Sequence, residues 1–570
     1  MGRASQEHSQ SNHDELGPFS PEPQTALQNT APDIGALEAL ETSIIEQSKV
    51  HRTTWRIAAT LVALFLSLFV AALDATITAT ATPVIVHDLG SAVGYTWIGG
   101  AYLLANAVGA PIWGQLSDIW GRKMILLGAL AIFFASSTVC AATTTMAGMI
   151  VGRALQGFSS VGIILIVQVV ISDLFSLRQR SLFLGLSQGV WVVAGGCGPI
   201  IGGLFASLVT WRWCFWINLP VCGSSFVMTL LFLRVQHTKT ALRVGMKAID
   251  WCGLLTFLAA ILMILIGLNL GGIVYPWTSA KVIVLLVVGA TMVAVFIFCE
   301  ARLAEYPLLP LGLFKQWSNV ASLLVCFSHG LVFMALEFYL PLFFQSVKTA
   351  TPLKSGLYVL PMALCTGLAG VAAGMIIHRF GRFRPLIWVG TCVICLGSGL
   401  LVMLVTESSI ATALGIQVVI GIGSGLLFQS PMIAIQSSVD QQDVATATGT
   451  FAFVRSTAIA VSVIITGVIF QSSIDQKSSM LAESGLPSSI LERLTGKEAA
   501  ANVMIYAEIG DPSQKLAVLR AFAWSTRQMF IATTAFAGLG LVAGLFVRHG
   551  HLSEEHTETV TGIKEKTPVS

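Results

Sequence analysis

The chain has 570 residues, 55% of them hydrophobic and only 11% charged, with a mean hydropathy of +0.79. That balance excludes a water-soluble globular domain and makes lipid the main solvent. A net charge of +3 spread through short loops offers no stripe for nucleic acid, and the ten cysteines lie in or beside apolar runs, as small packing residues rather than a disulfide framework.

Residues 1–50 are rich in Ser, Gln, Glu and Pro and hold no apolar run fit for a cleaved signal peptide, which predicts a disordered cytoplasmic tail. Apolar stretches then recur at 57–84, 95–116, 124–143, 147–171, 182–206, 214–234, 250–271, 280–299, 318–345, 354–377, 385–405, 410–435, 445–470 and 528–547. Each approaches the ~20 residues that a bilayer core requires, so fourteen transmembrane helices are predicted. An even count places both termini on one side. Arg56, Arg122, Lys123, Arg178, Arg180, Arg234 and Arg379 gather there, whereas the short loops opposite offer only Arg212, Lys281, Lys348 and Lys354; both tails are therefore expected in the cytoplasm.

The expected architecture is all-α and membrane-integral: a six-helix half over 51–234, a linker with an extra, lipid-facing helix pair over 235–317, and a second six-helix half over 318–547. A polar outer loop is expected at 471–527, with short surface helices at 488–494 and 514–522, and a second cytoplasmic tail at 548–570.

Between the second and third runs stands Gly114-Gln-Leu-Ser-Asp118-Ile-Trp-Gly121-Arg122-Lys123. Gly114 permits close backbone approach and Gly121 a tight turn, Asp118 can meet a cation or a helix N-terminus, and Arg122 and Lys123 hold the loop on the inner face. The pattern G-x-L-x-D-x-x-G-R-K resembles the signature loop of the major facilitator superfamily. A degenerate copy follows the tenth run, Gly374 to Arg382, with His378 where Asp118 stands, which implies a weaker or pH-sensitive second latch.

Within the spans, Asp74 puts a carboxylate inside the first membrane helix, where a charge costs at least ~2.5 kcal/mol, so it is a candidate to bind and release a proton. Arg153, in the fourth span, lies at a compatible depth, and protonation of Asp74 would free it. Arg153-Ala-Leu-Gln156-Gly157 resembles the superfamily's fourth-span motif, linked with proton coupling. In the fifth span, Gly195, Gly198, Pro199, Gly202 and Gly203 favour close helix contact and a bend, and their arrangement resembles the antiporter motif of drug exporters. Trp211-Arg212-Trp213 through Asn218 resembles a signature of fourteen-span drug:proton antiporters. Glu337, followed by Pro341 in the ninth span, repeats the idea of Asp74 and is expected to face it across the cavity as a second proton or cation site. Gln429 and Gln436, seven apart on one helix face, are expected to line that cavity with Gln156, Arg455 and Phe338. Arg455 opens a variant of an R-x-x-G-x-x-x-G pattern, with Ala458 and Ser462 in place of its glycines.

The resemblance spans about residues 50–550 and implies a fourteen-span drug:proton antiporter similar to fungal toxin and multidrug efflux pumps. It implies two halves rocking about a midplane cavity, export of amphipathic small organic molecules, and a monomer in the plasma membrane. The proton gradient would drive transport without cofactor or ATP, and no G-x-x-x-x-G-K-[ST] loop occurs. The alternatives are a vacuolar transporter of basic amino acids and a transporter-like receptor that moves nothing. No metal site and no nucleophile–base set point to an enzyme.

Overall fold

In lipid every backbone polar group must find its partner within its own segment, so apolar runs fold as helices. The computed structural model describes residues 54–90, 94–235, 240, 242–271, 275–304, 309, 311–495, 505–550 and 552–553. The tail expected over 1–50 lies outside these residues, as does most of that over 548–570. Two compact units, Met1–Ile57 and Ala58–Ser570, make up the chain, and the helical bundle belongs to the second.

The helices are α1 (Thr54–Asp88), α2 (Gly94–Trp120), α3 (Arg122–Ala142), α4 (Met146–Leu174), α5 (Leu177–Leu208), α6 (Trp213–Trp216), α7 (Asn218–Phe232), α8 (Leu242–Ala248), α9 (Trp251–Leu270) and α10 (Ala280–Arg302). They continue as α11 (Trp317–Ser346), α12 (Pro352–Phe380), α13 (Arg384–Leu401), α14 (Ile410–Gln436), α15 (Val444–Asp475), α16 (Ser478–Glu483), α17 (Ser488–Thr495) and α18 (Pro512–Leu545). Among the described residues, 13 spans are long and apolar enough to cross a membrane, α6 and α7 together making one of them. The remaining long helix is α2, made more polar by Asn106, Gln115 and Asp118; it packs between α4 and α15, where polar groups have protein rather than lipid beside them. With it the long elements number fourteen, as the hydropathy pattern implies.

Alternating directions bring the turns near Arg122, Arg178, Arg379 and Gln441 to one end of the bundle, here the Arg122 end, and those near Asp88, Trp211 and Lys348 to the other, the Trp211 end. Two seams join the halves, α2 against α15 and α5 against α12.

Two expectations need correction. The outer loop is shorter than 471–527, because α15 runs on to Asp475 and α18 begins at Pro512, with the Asp511 side chain accepting a hydrogen bond from the Ser513 amide. The polar stretch before the last apolar run continues that helix, burying Val518, Ala521, Phe522 and Ser525 against protein. The extra pair α9–α10 is not only lipid-facing. Ile261 and Leu265 of α9 fill the groove between Leu104 and Ala107 of α2 and Ala460, Val461 and Ile464 of α15, so the inserted helix lies along the seam between halves. Phe257 adds contacts to Phe296 and Phe453, with ring centroids 5.4 and 5.0 Å away.

Close crossings fall where the chain has glycine. A Cβ on Gly157 of α4 would stand 2.1 Å from the Tyr102 carbonyl oxygen, and one on Gly425 of α14 would stand 2.3 Å from that of Thr366. These positions set the α2–α4 and α12–α14 distances.

Candidate functional site

Asp74 is fully buried on α1, and three side chains from two other helices reach its carboxylate. Arg153 Nη1 donates to Oδ2 at 2.8 Å, while Gln156 Nε2 and Asn218 Nδ2 donate to Oδ1 at 3.0 and 2.9 Å. One turn of α4 presents both Arg153 and Gln156, since residues three apart share a helix face. Arg153 also donates to the Ile98 carbonyl and to Gln156 Oε1, and its guanidinium lies 4.4 Å from the centre of the Tyr102 ring. Gln156 donates to Ser137 Oγ at 2.9 Å. Three helices thus meet on the carboxylate, and α2 and α3 join the network through Arg153 and Gln156. Gln156 was expected to line the substrate cavity; it is fully buried within this network instead. Asn218, Ser137 and Tyr102 were absent from the candidate residues, although Asn218 closes a motif that the sequence displays.

Two of the five span-5 motif residues fit α5 onto α1 beside this site. A Cβ on Gly198 would meet Thr76 Oγ1 at 2.1 Å, and one on Gly202 the Ile77 carbonyl oxygen at 2.4 Å. Thr76 donates across to the Ala194 carbonyl at 3.1 Å. Gly195 and Gly203 face open space, and Pro199 lies within the unbroken helix.

At the Arg122 end the signature loop forms a closed set of contacts. Gly121 has φ 85°, a left-handed conformation that a side chain would strain. Arg122, 1% exposed, donates to Asp118 at 2.5 Å, to Asp173 at 2.9 Å and to Ser117 at 3.0 Å. Asp118 accepts from Thr446 of α15 at 3.0 Å, which ties the loop to the other half. Gly114 lies close to Gly449, and Lys123 donates to the Leu230 carbonyl near the end of α7. Asp173 and Thr446 were not foreseen, because neither sits in the loop itself.

Further bonds close the same end. Arg178 donates to the carbonyls of His378 and Arg379, both at 2.6 Å, and His378 Nδ1 lies 3.2 Å from the Arg178 carbonyl oxygen. Arg180 donates to Gln441 at 3.0 Å. Gln436, expected in the cavity, is 1% exposed and donates to Ser172 and Thr448 at 3.1 and 2.9 Å. It belongs to the closure between halves.

The second half holds the other candidates apart from Asp74. Both Asp74 oxygens are occupied, and among the described residues no hydrogen bond or ion pair links Glu337 to them. Phe338 is half exposed and touches Tyr339. Gln429 is 2% exposed, and neither end of its amide has a hydrogen-bond partner. Arg455 donates to the Phe428 carbonyl and lies between the Phe428 and Phe451 rings, 4.3 and 4.8 Å from their centres.

At the Trp211 end, Trp211 Nε1 and Arg212 Nη1 donate to Asp88 at 2.9 and 3.2 Å. The Trp211 bond, then that of Arg212, hold the Asp88 carboxyl below the ordinary carboxylate range. A depressed value means that the tie is fully present above that range and is lost only as pH falls through the lowered one. The melting-temperature gap between wild type and Asp88→Asn should therefore stay constant from about pH 7 to about pH 5 and close only below pH ~4. A gap that narrows already between pH 7 and 5 would refute this account of the tie.

Two linked six-helix halves, a buried ion pair inside one, and a hydrogen-bonded closure across one end define a membrane transporter rather than an enzyme. The family model described as Major Facilitator Superfamily matches residues 64–463, and the chain belongs to that superfamily. It is 42% identical to the efflux pump dotC of Dothistroma septosporum over 89% of this chain and 87% of that one. It is 34% identical to the efflux pump FUS6 of Gibberella fujikuroi over 92% and 94% of the two chains. Among solved structures, the human organic anion transporter MFSD10 (TETRAN) superposes with a TM-score of 0.55 at 15% identity, covering 86% of this chain and 99% of that one, a likeness of fold alone.

Proposed function

We propose that the protein is a proton-coupled antiporter that exports amphipathic small organic molecules, of the fungal toxin or secondary-metabolite kind, across the plasma membrane. The observation that carries the reading is Asp74, fully buried with both oxygens bound by Arg153, Gln156 and Asn218. A proton on this carboxylate competes with Arg153 for the same oxygen and removes the charge that holds α1 to α4 and α7. Relatives named as efflux pumps support the direction of transport.

In this reading both termini are cytoplasmic, so the Arg122 end faces the cytoplasm and the conformer is closed on that side. Protons arriving from outside bind Asp74, with Glu337 a second candidate acceptor, and the halves rock as the contacts around Arg122 and Gln436 part and re-form. The protein acts as a monomer, and its driving force is the proton gradient rather than ATP or a bound cofactor.

The test is export of dyes, azoles and fungal toxins from cells carrying the protein, with and without a protonophore. Export that stops on collapse of the gradient supports the reading. Export that continues undiminished, at unchanged surface level, defeats the coupling.

A further inference from the structure

We propose that the exported molecule carries a carboxylate on a planar ring, and that Arg455, with Phe428, Phe333, His329 and Ser424, forms the subsite that takes it. The proposal deepens the export reading and rests on it for the direction of transport.

The argument starts from the contrast between two arginines inside the bundle. Arg153 has Asp74 at 2.8 Å. Arg455 forms no ion pair with a carboxylate among the described residues; its ionisable neighbours are the Cys326 thiol and the His329 ring. One of its nitrogens donates to the Phe428 carbonyl, and its Nε has no hydrogen-bond partner. A guanidinium held in a membrane-spanning bundle without an anion is costly, and residues of this kind mark ligand and ion paths.

The surroundings are also unsatisfied. His329, 3% exposed on α11, has no well-formed hydrogen bond at either ring nitrogen, the Ser424 backbone standing nearby. The Ser424 hydroxyl is fully buried and unpartnered, one turn before Phe428 on α14. Buried polar groups in folded proteins nearly always have partners. A cation with a free Nε, the unpartnered His329 ring beside it and the unpartnered Ser424 hydroxyl on the turn next to His329 fit a ligand with several acceptor oxygens.

The apolar walls define the rest of the ligand. Phe333 and Phe428 stand perpendicular, at 89° with centroids 5.7 Å apart, and His329 lies against both, 5.8 and 5.5 Å away. Phe333, Phe428 and Arg455 are each half-buried, so each keeps part of its surface free of protein neighbours. A planar ring packs in such a corner by edge and face contacts, and the planar fork of arginine matches a carboxylate with two parallel bonds, which a neutral ester cannot accept with equal strength.

The experiment uses the full-length protein in lipid nanodiscs at pH 7, with 1-naphthoate and its methyl ester as matched probes. In wild type the acid should bind at least about tenfold tighter than the ester, the size of one charge-assisted pair. Arg455→Gln should abolish that preference, weakening the acid by about tenfold and the ester by less than about threefold. Arg455→Lys, which keeps the charge and loses the fork, should retain part of it and decides the matter if the Gln variant does not fold. Equal binding of acid and ester to the wild type overturns the proposal, as does an equal loss of both in Arg455→Gln or no acid preference in a folded Arg455→Lys. Gradient-driven export without acid preference would sink the subsite and leave the export reading standing. Acid-selective binding with no driven transport of any probe would keep the subsite and sink the export reading.

Discussion

Asp74→Asn should abolish export driven by the proton gradient while leaving substrate exchange at equal pH largely intact. Asn keeps the shape and one acceptor oxygen, which can serve either Arg153 or the Gln156 and Asn218 amides but not both sides, and it cannot take up a proton. Neutral like the protonated acid, Asn lacks the charged state that holds Arg153, so the switch between held and released states disappears. Truncation to Ala would confound the experiment, because removing one member of a buried pair costs roughly 3–5 kcal/mol and threatens the fold. The measurement compares driven export with counterflow in proteoliposomes at matched protein. Driven export at the wild-type rate in Asp74→Asn would reduce the network to a structural staple.

The second large effect is expected at the other charge cluster. Arg122 is almost fully buried and its guanidinium touches Asp118, Asp173 and Ser117. Arg122→Gln leaves Asp173, 5% exposed, without its cation, and the cost should be about 3–5 kcal/mol, seen as a clear drop in melting temperature in detergent. Arg122→Lys should recover only part of this, because one ammonium cannot span both carboxylates as the fork does. A variant that melts with the wild type would mean that water already screens these carboxylates.

The helices were legible because lipid imposes length and apolarity on each. Where protein rather than lipid surrounds a helix the signal weakens, and so the start of α18 at Pro512 escapes a hydropathy reading, whereas α2 is found at 95–116 despite its polar residues. The pairing of Asp74 with Arg153 was legible from depth alone, since two opposite charges at one level of a bundle seek each other. Its remaining partners were not: Asn218 lies 144 residues away along the chain, and no local pattern says which amide turns toward a carboxylate. Gln436 misled for a related reason. Sharing a face with Gln429 is a statement about angle around the helix, whereas cavity or closure depends on position along it, and Gln436 ends α14 at the closed end. Glu337 was matched to Asp74 by the symmetry of the halves, but Arg153 and its neighbours already satisfy Asp74 from within the first half.

The two seams between the halves differ in texture. Along α5 and α12, Gly185 and Gly374 press backbone to backbone, a Cβ on either standing 2.8 Å from the other's Cα. Val192 and Gln188 lie on Gly367 and Gly370, where a Cβ would collide with them. The face of α12 is therefore nearly flat, with three glycines and the Val371 side chain, which lies over Gly189 of α5. Interlocked side chains must change rotamer before two helices can turn past one another, and a flat face imposes no such step. Along these glycines the seam is a plain bearing of low friction, on which one half of the molecule can roll against the other once the Arg178 bonds at its end have parted.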